Sequence, residues 1–163
     1  MTVDARDTVV QRDPGQLARD VLGDPSRVLV TAEPITVCQQ PWNMTERDKW
    51  QADRLPVYRP EARVINGGFA AGRPNVLRWF CLARWCLDFA HQASDQAGVT
   101  ALADWLKGWP SLVVSTHADG LVGHGFHWQQ PGFDPARFAI FHQWDRTPWA
   151  NAVRKAYPAG STV

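Results

Sequence analysis

Two carboxylates near the start of the chain have a spacing that suits a divalent metal ion. Asp4 and Asp7 form an Asp-x-x-Asp pair directly before an apolar segment at 8–10. On a regular strand the two side chains would point to opposite faces, so they can share one cation only if the chain turns between them. Their hard oxygens favour Mg²⁺ or Mn²⁺. Solvated surface charge is the alternative interpretation of so short a motif.

A histidine late in the chain is the third candidate ligand. The stretch 138–142 has the period of a strand, which places Phe138, Ile140 and His142 on one face with the histidine at the strand end. An imidazole that joins two carboxylates would favour Mn²⁺ over Ca²⁺. A histidine satisfied inside the core is the alternative.

Two further motifs carry groups that suit sugar chemistry. Asn66-Gly67-Gly68 stands at the predicted exit of a strand, where the glycines let a ligand approach the backbone and the amide can donate to and accept from hydroxyls. Asp95-Gln96 begins a predicted helix, and in a cleft Asp95 could hold an acceptor hydroxyl or act as a base. A tight turn and a plain helix start are the alternatives.

The remaining histidines and the cysteines form no familiar metal motif. His117, His124 and His127 lie in a glycine-rich stretch, but their separations match no known zinc frame. A zinc hydrolase built on them is therefore the last-ranked hypothesis. An odd number of cysteines without CxxC spacing predicts reduced core thiols rather than a disulfide framework; these residues are Cys38, Cys81 and Cys86.

Alternating strands and helices must position these groups. Strands are predicted at 27–32, 63–69, 112–115 and 138–142, and helices at 16–22, from Pro74, from Asp95 and at 149–157. This order predicts an α/β fold, with a mixed sheet and flanking helices. The segment 34–60 mixes Pro, Trp and charge without a period, so it is predicted to be a long active-site loop that contains Trp42.

Length and composition limit the class of protein. A chain of 163 residues suits a single domain at 1–163. Seventeen basic residues against sixteen acidic ones give a net charge of +1, so no net field attracts nucleic acid. An acidic start and the lack of an apolar run of about 18 residues predict a cytoplasmic protein without a membrane span.

The order of these motifs resembles the GT-A glycosyltransferases related to the collagen lysyl hydroxylase glycosyltransferase domain and its bacterial and viral counterparts. The resemblance covers nearly the whole chain and implies a partial GT-A (nucleotide-diphospho-sugar transferase) fold. The motifs that carry it are the acidic pair, Ala32-Glu33-Pro34, Pro41-Trp42-Asn43, Ile65-Asn66-Gly67-Gly68-Phe69, Asp95-Gln96 and the strand that ends at His142.

The resemblance implies a role for each motif. Asp4, Asp7 and His142 would hold Mn²⁺, or Mg²⁺, on the diphosphate of a UDP-hexose. The donor pocket would include Trp42, Asn66, Gly67 and Gly68. Asp95 and Gln96 would face the sugar and a hydroxyl-bearing acceptor as the catalytic pair.

The predicted function is therefore metal-dependent transfer of a hexose from a nucleotide-sugar to a hydroxyl acceptor. In the family, a nucleotide-binding half precedes the acidic pair, so this chain corresponds to the C-terminal portion on the metal and acceptor side. That correspondence leaves open whether the chain is active alone, and it suggests an N-terminal fragment or a second copy as a partner. The alternative function is a non-catalytic carbohydrate- or partner-binding module.

Overall fold

A computed structural model describes residues 2–3, 8–52, 57–91 and 94–156. Its strands form two mixed sheets rather than the one sheet predicted, in the orders β1-β4-β3-β5 and β2-β7-β6. The strands are β1 (Thr2–Val3), β2 (Thr8–Val10), β3 (Val28–Thr36), β4 (Arg63–Gly72), β5 (Leu112–Ser115), β6 (Val122–His124) and β7 (Ile140–His142). The helices are α1 (Gly15–Leu22), α2 (Pro41–Ala52), α3 (Pro74–His91), α4 (Asp95–Trp105) and α5 (Ala150–Ala156).

The central strand β3 is covered on both faces, as its apolar sequence predicts. Val30 lies in a core cluster with residues of α3 and α4, whereas Leu29 packs on the other face with residues of α1 and the second sheet. Both side chains are fully buried. Full burial of such a side chain contributes about 1.5 to 3 kcal/mol, so this strand anchors the layers on either side. The mixed α/β class is therefore confirmed.

The pairing of β3 with β4 contains two compensating bulges. Val30 is opposite Ala70 but Ala32 is opposite Ile65, so the four residues 66–69 of β4 face a single residue, Thr31. Between Ala32 and Thr36 the extra residues lie on β3 instead, where residues 33–35 face the single residue Val64 of β4. Bulges of this kind redirect side chains and are common beside functional sites.

The prediction that the strand at 63–69 ends in a glycine-rich turn is wrong, because Gly67 and Gly68 lie inside β4, which continues to Gly72. A glycine pair is equally suited to a turn and to a bulge within a strand, and sequence alone does not separate the two.

The long loop predicted at 34–60 is also wrong. Strand β3 continues to Thr36, a 3-10 helix follows at Val37–Gln39, and α2 begins at Pro41. The buried face of α2 includes the polar residues Asn43 and Glu46. Because the helix buries polar groups, its sequence lacks the apolar period that signals an amphipathic helix.

The second sheet holds the predicted C-terminal strand between two short ones. In this sheet β7 pairs antiparallel with β2, placing His142 opposite Thr8, and parallel with β6, placing His142 opposite His124. Strands β2 and β6 have three residues each, too few for an alternating pattern to show in the sequence.

The structure bears on two predictions, the lack of a membrane-spanning helix and the location of the cysteines. No helix in the described ranges is long and apolar enough to cross a membrane. All three cysteines are free, but Cys38 and Cys86 are exposed, so the expected core location is wrong for these two.

Candidate functional site

A cavity of about 400 Å³ lies where the bulged strands meet the start of α4 and the end of β7. Its volume is in the range of small-molecule sites. All seven predicted site residues in the described ranges line it, whereas Asp4 and Asp7 lie outside the described residues. The lining residues are Glu33, Gln40, Trp42, Asn66, Gly67, Gly68, Ser94, Asp95, Gln96, Phe126, His142, Gln143 and Arg146.

The bulge in β4 presents Asn66 and the two glycines to this cavity. The Ile65 N–H donates to Thr100 Oγ1 of α4 at 3.0 Å, and the Gly68 N–H donates to Asn66 Oδ1 at 2.8 Å. Side chains thus satisfy backbone groups that a regular ladder would have paired. The amide of Asn66 is consequently fixed at the wall of the cavity.

Gly67 allows the bulge to approach Asp95 closely. A β-carbon at position 67 would lie 3.0 Å from both Cγ and Oδ2 of Asp95, which is tighter than nine in ten real β-carbon contacts and would require the carboxylate to move. Arg84 of α3 contacts both residues. Its guanidinium donates to the Gly67 carbonyl at 3.2 Å, and its second terminal nitrogen lies 3.6 Å from Asp95 Oδ2. The Asp95 side chain is 56% exposed, so this ion pair orients the carboxylate and adds little stability.

Helix α2 holds the start of α4 in place. The Ser94 hydroxyl caps α4 by accepting from the Ala97 N–H at 3.2 Å, while the Ser94 N–H donates to Glu46 Oε2 at 2.8 Å. Burial raises the pKa of Glu46, but hydrogen bonds from Lys49 and Ser94 outweigh it and leave the pKa below its ordinary value. The ionised Glu46 therefore ties α2 to the turn that carries Asp95.

Glu33 is the central polar group of the site, and the sequence argument gave it no role. Its Oε1 accepts from Gln96 Nε2 at 2.9 Å and lies 3.3 Å from Asn66 Nδ2, and its Oε2 lies 2.8 Å from His127 Nε2. Burial raises the pKa of Glu33, but the His127 hydrogen bond, the neighbouring histidines and Asn66 lower it overall. A carboxylate inside an otherwise apolar strand was the available signal, because buried charge requires partners.

The loop after β7 contributes two further residues that the sequence argument did not single out. Gln143 has a left-handed backbone with φ of 58°, a conformation that costs a non-glycine residue about 1 kcal/mol or more. Its side-chain Oε1 is buried and has no hydrogen-bond partner among the described residues. Arg146 places a cation at the cavity, with its guanidinium 6.0 Å from the ring centroid of Phe126.

His142 is the one predicted metal ligand in the described ranges. It is buried, and its Nδ1 lies 3.1 Å from Asn66 Nδ2. Thr8, which follows Asp7 in the sequence, is its register partner. No three His, Cys, Asp or Glu side chains among the described residues are arranged to hold a metal ion. The described residues therefore do not make a ligand set for Mn²⁺.

The other histidines do not converge on one point. His117 Nε2 lies 2.8 Å from His124 Nδ1, and the two rings stack with centroids 5.0 Å apart. Burial lowers the pKa of His124 to about 3 and that of His117 to about 4, so both rings are neutral at pH 7. His127 instead faces Glu33. The geometry is that of a buried hydrogen-bonded pair beside a carboxylate–histidine pair.

Comparison with protein-family models, with curated proteins and with solved structures finds no match to this chain.

Proposed function

We propose that this chain is a nucleotide-sugar-dependent hexosyltransferase, or the acceptor-side portion of one, and that the 400 Å³ cavity binds the donor. One observation carries the proposal. Trp42, Asn66, Asp95 and His142 come from four separate segments of the sequence, yet all line this cavity. Groups chosen for sugar chemistry by residue type and order are thus neighbours in space.

The polar lining suits a hexose. Asn66 and Gln96 both donate hydrogen bonds to Glu33, so their remaining donors and acceptors have fixed directions. Fixed polar groups determine how a sugar sits, because each hydroxyl both donates and accepts. Trp42 is 45% exposed at the cavity and offers an amphipathic platform on which a sugar ring can stack.

The loop after β7 offers a cation for the diphosphate of the donor and an acceptor for a hydroxyl or N–H of the same ligand. Arg146 supplies five donors in a planar fork that matches phosphate oxygens. The buried Oε1 of Gln143, which has no partner in the described part of the chain, would accept a hydrogen bond from a ligand N–H or hydroxyl. An unsatisfied buried polar atom beside strained backbone is a common mark of a ligand site.

In this proposal Asp95 acts on the acceptor. Its carboxylate is held between Arg84 and Gly67 and remains exposed to the cavity. It would align the acceptor hydroxyl and take its proton as the hydroxyl oxygen bonds to the anomeric carbon and the bond from that carbon to the UDP oxygen breaks, which releases UDP. Alignment of this kind supplies much of the rate in group transfer. Gln96 would hold the start of α4, and with it Asp95, in position through its hydrogen bond to Glu33.

A divalent cation remains part of the proposal, with Asp4 and Asp7 as its carboxylate ligands. When bound, Mn²⁺ or Mg²⁺ would neutralise charge on the departing diphosphate as a Lewis acid.

Release of UDP from UDP-glucose and UDP-galactose tests the proposal. The chain is incubated with each donor and Mn²⁺, alone and with a panel of hydroxyl acceptors, and free UDP is measured. We expect acceptor-dependent release that Asp95→Asn reduces by about a hundredfold. Asp20→Asn, which removes an exposed carboxylate on α1, is the matched control and should release UDP at the wild-type rate.

The alternative function makes a different prediction for the same experiment. A carbohydrate-binding module would retain donor or glycan without releasing UDP under any condition. Release that Asp95→Asn leaves unchanged would remove Asp95 from the reaction and contradict the proposed mechanism.

A further inference from the structure

His142 has a neighbour that determines which of its ring nitrogens carries the proton. The Asn66 amide nitrogen lies 3.1 Å from His142 Nδ1, and both residues are buried. An amide nitrogen has two hydrogens and no acceptor capacity, whereas a neutral imidazole has one donor and one acceptor nitrogen. The orientation of the Asn66 amide therefore decides the tautomer of His142.

Two other partners fix that orientation. Asn66 Oδ1 accepts from the Gly68 N–H at 2.8 Å, and Asn66 Nδ2 faces Glu33 Oε1 at 3.3 Å. Turning the amide over would place its oxygen against the Glu33 carboxylate and its NH₂ against the Gly68 N–H. Both contacts would be repulsive, so hydrogen-bond chemistry selects a single amide orientation.

Glu33 is itself prevented from turning away. Gln96 Nε2 lies 2.9 Å from its Oε1, and His127 Nε2 lies 2.8 Å from its Oε2. Its pKa is below the ordinary value, so at neutral pH it is a carboxylate that only accepts hydrogen bonds. One Asn66 hydrogen thus points to Glu33, and the other points to His142 Nδ1.

We propose that Asn66 is a positioning residue that holds His142 as its Nε2–H tautomer, so that His142 acts as a hydrogen-bond donor and not as a metal ligand. Because Nδ1 accepts from Asn66, the ring proton is on Nε2. Nε2 then has no lone pair available to bind a metal. Metal coordination through Nε2 would require the proton to move to Nδ1 and the Asn66 amide to turn, which breaks its contacts with Gly68 and Glu33.

A donor at His142 selects an oxygen-bearing ligand. The Nε2–H would bind an acceptor such as a phosphate or hydroxyl oxygen, which forms a short charge-assisted bond where the oxygen is anionic. The assignment of that oxygen to a nucleotide-sugar rests on the proposed function, whereas the tautomer itself does not. Any divalent cation would then be held by other residues.

Long-range ¹H–¹⁵N correlation spectra of the ¹⁵N-labelled full chain report the tautomer of each histidine without any ligand. The chain has five histidines, and the signals lost in His142→Gln identify those of His142. We expect a protonated Nε2 and an unprotonated Nδ1. A proton on Nδ1 in the wild-type chain would overturn the proposal, and neither result depends on nucleotide-sugar binding.

Asn66→Asp tests whether the Asn66 amide determines the His142 tautomer, because a carboxylate of the same shape accepts a hydrogen bond where the amide donates one. We expect the His142 proton to move to Nδ1. If the new charge beside Glu33 prevents folding, the double variant Glu33→Gln/Asn66→Asp restores the wild-type formal charge and should show the same shift. Asn43→Asp, at a buried amide hydrogen-bonded to Gln40 in α2, is the control and should leave His142 unchanged.

Cd²⁺ serves as a diamagnetic substitute for Mn²⁺ in the final comparison. The proposal predicts that added Cd²⁺ leaves the His142 Nε2–H signal in place. Replacement of that signal by a metal-bound nitrogen, or an Asn66→Asp spectrum with the proton still on Nε2, would contradict it.

Discussion

Five polar side chains, centred on Glu33, form one connected hydrogen-bonded group. Glu33 contacts Asn66, Gln96 and His127 through side-chain atoms, and Asn66 extends the group to His142. Removing one member leaves its partners buried and unpaired, which costs about 1 to 3 kcal/mol for each neutral group and more for a charge. The group is therefore rigid, and rigidity is what a site needs to hold a sugar in one orientation.

Gly67→Ala is expected to separate activity from stability. The added methyl would lie 3.0 Å from the Asp95 carboxylate and displace it, which should reduce UDP release at least tenfold. Because the Asp95 side chain is 56% exposed and can shift toward solvent, the free energy of unfolding should change by less than about 1 kcal/mol. UDP release and urea unfolding of the same preparation measure the two effects.

Gly15→Ala is the control for this substitution. Its methyl would also lie 3.0 Å from a carboxylate oxygen, that of exposed Asp13, but outside the cavity. The two variants should therefore differ in activity and resemble each other in stability. Wild-type UDP release by Gly67→Ala would show that the position of Asp95 does not matter.

At the scale of elements, the sequence predicts those with strong local signals. Pro74 opens α3 and Ser94 caps α4, so these two helices begin where the sequence predicts. The apolar run of β3 likewise predicts a strand buried on both faces. These features depend on a few adjacent residues, so one sequence is enough to find them.

Other elements are determined by contacts that a single sequence does not show. Helix α2 buries Glu46 because the Ser94 N–H needs an acceptor, and that pairing joins residues 48 positions apart. The bulge in β4 depends in the same way on Thr100 of α4. For this reason the sequence singled out residues that line the cavity, but it placed Trp42 on a loop and the glycine pair at the exit of a strand.

Individual residues that depend on long-range contacts are also missed by a single sequence. Trp42, Asn66, Asp95 and His142 were chosen by type, spacing and motif order, and all four line the cavity. Glu33 is different, because its importance comes from partners on three other segments. Gln143 and Arg146 follow His142 directly, but their contribution depends on a left-handed residue that no sequence pattern indicated.

At the scale of the whole molecule, the polar group lies near the junction of the two sheets. Thr31 of the first sheet contacts His124 of the second, with Oγ1 and Nε2 3.5 Å apart. His124 is completely buried, and it stacks on His117. The sheets therefore meet partly through neutral imidazoles rather than through apolar side chains alone.

This arrangement predicts loss of stability in mild acid. The pKa values of His124 and His117 are about 3 and about 4 in the folded protein, against 6.5 for the free side chain. Below pH 6.5 the unfolded chain binds protons that the folded chain does not, so folding free energy is lost as pH falls from about 6.5 toward 4. Urea unfolding should show a decrease of about 2 to 4 kcal/mol between pH 6.5 and 4.5.

One variant and one pH range identify which side chains cause the loss of stability in acid. His117→Gln removes one of the titrating rings and should make the decrease shallower. Glu33 adds to the loss only below its ordinary pKa of 4.5, because its folded pKa is lowered and its stabilisation disappears as the carboxylate is protonated. A free energy of unfolding that stays constant from pH 7 to 5 would contradict the burial of neutral histidines.

Calorimetric titration of the chain with UDP, with and without Mn²⁺, tests most directly whether this cavity is a nucleotide-sugar site. We expect one UDP to bind per chain and Arg146→Gln to weaken this binding about tenfold or more, because a charge-assisted contact to phosphate is lost. Arg154→Gln, on α5 and over the Trp144 ring, should bind as the wild type does. No binding of UDP under either condition, or equal binding by both variants, would contradict the account.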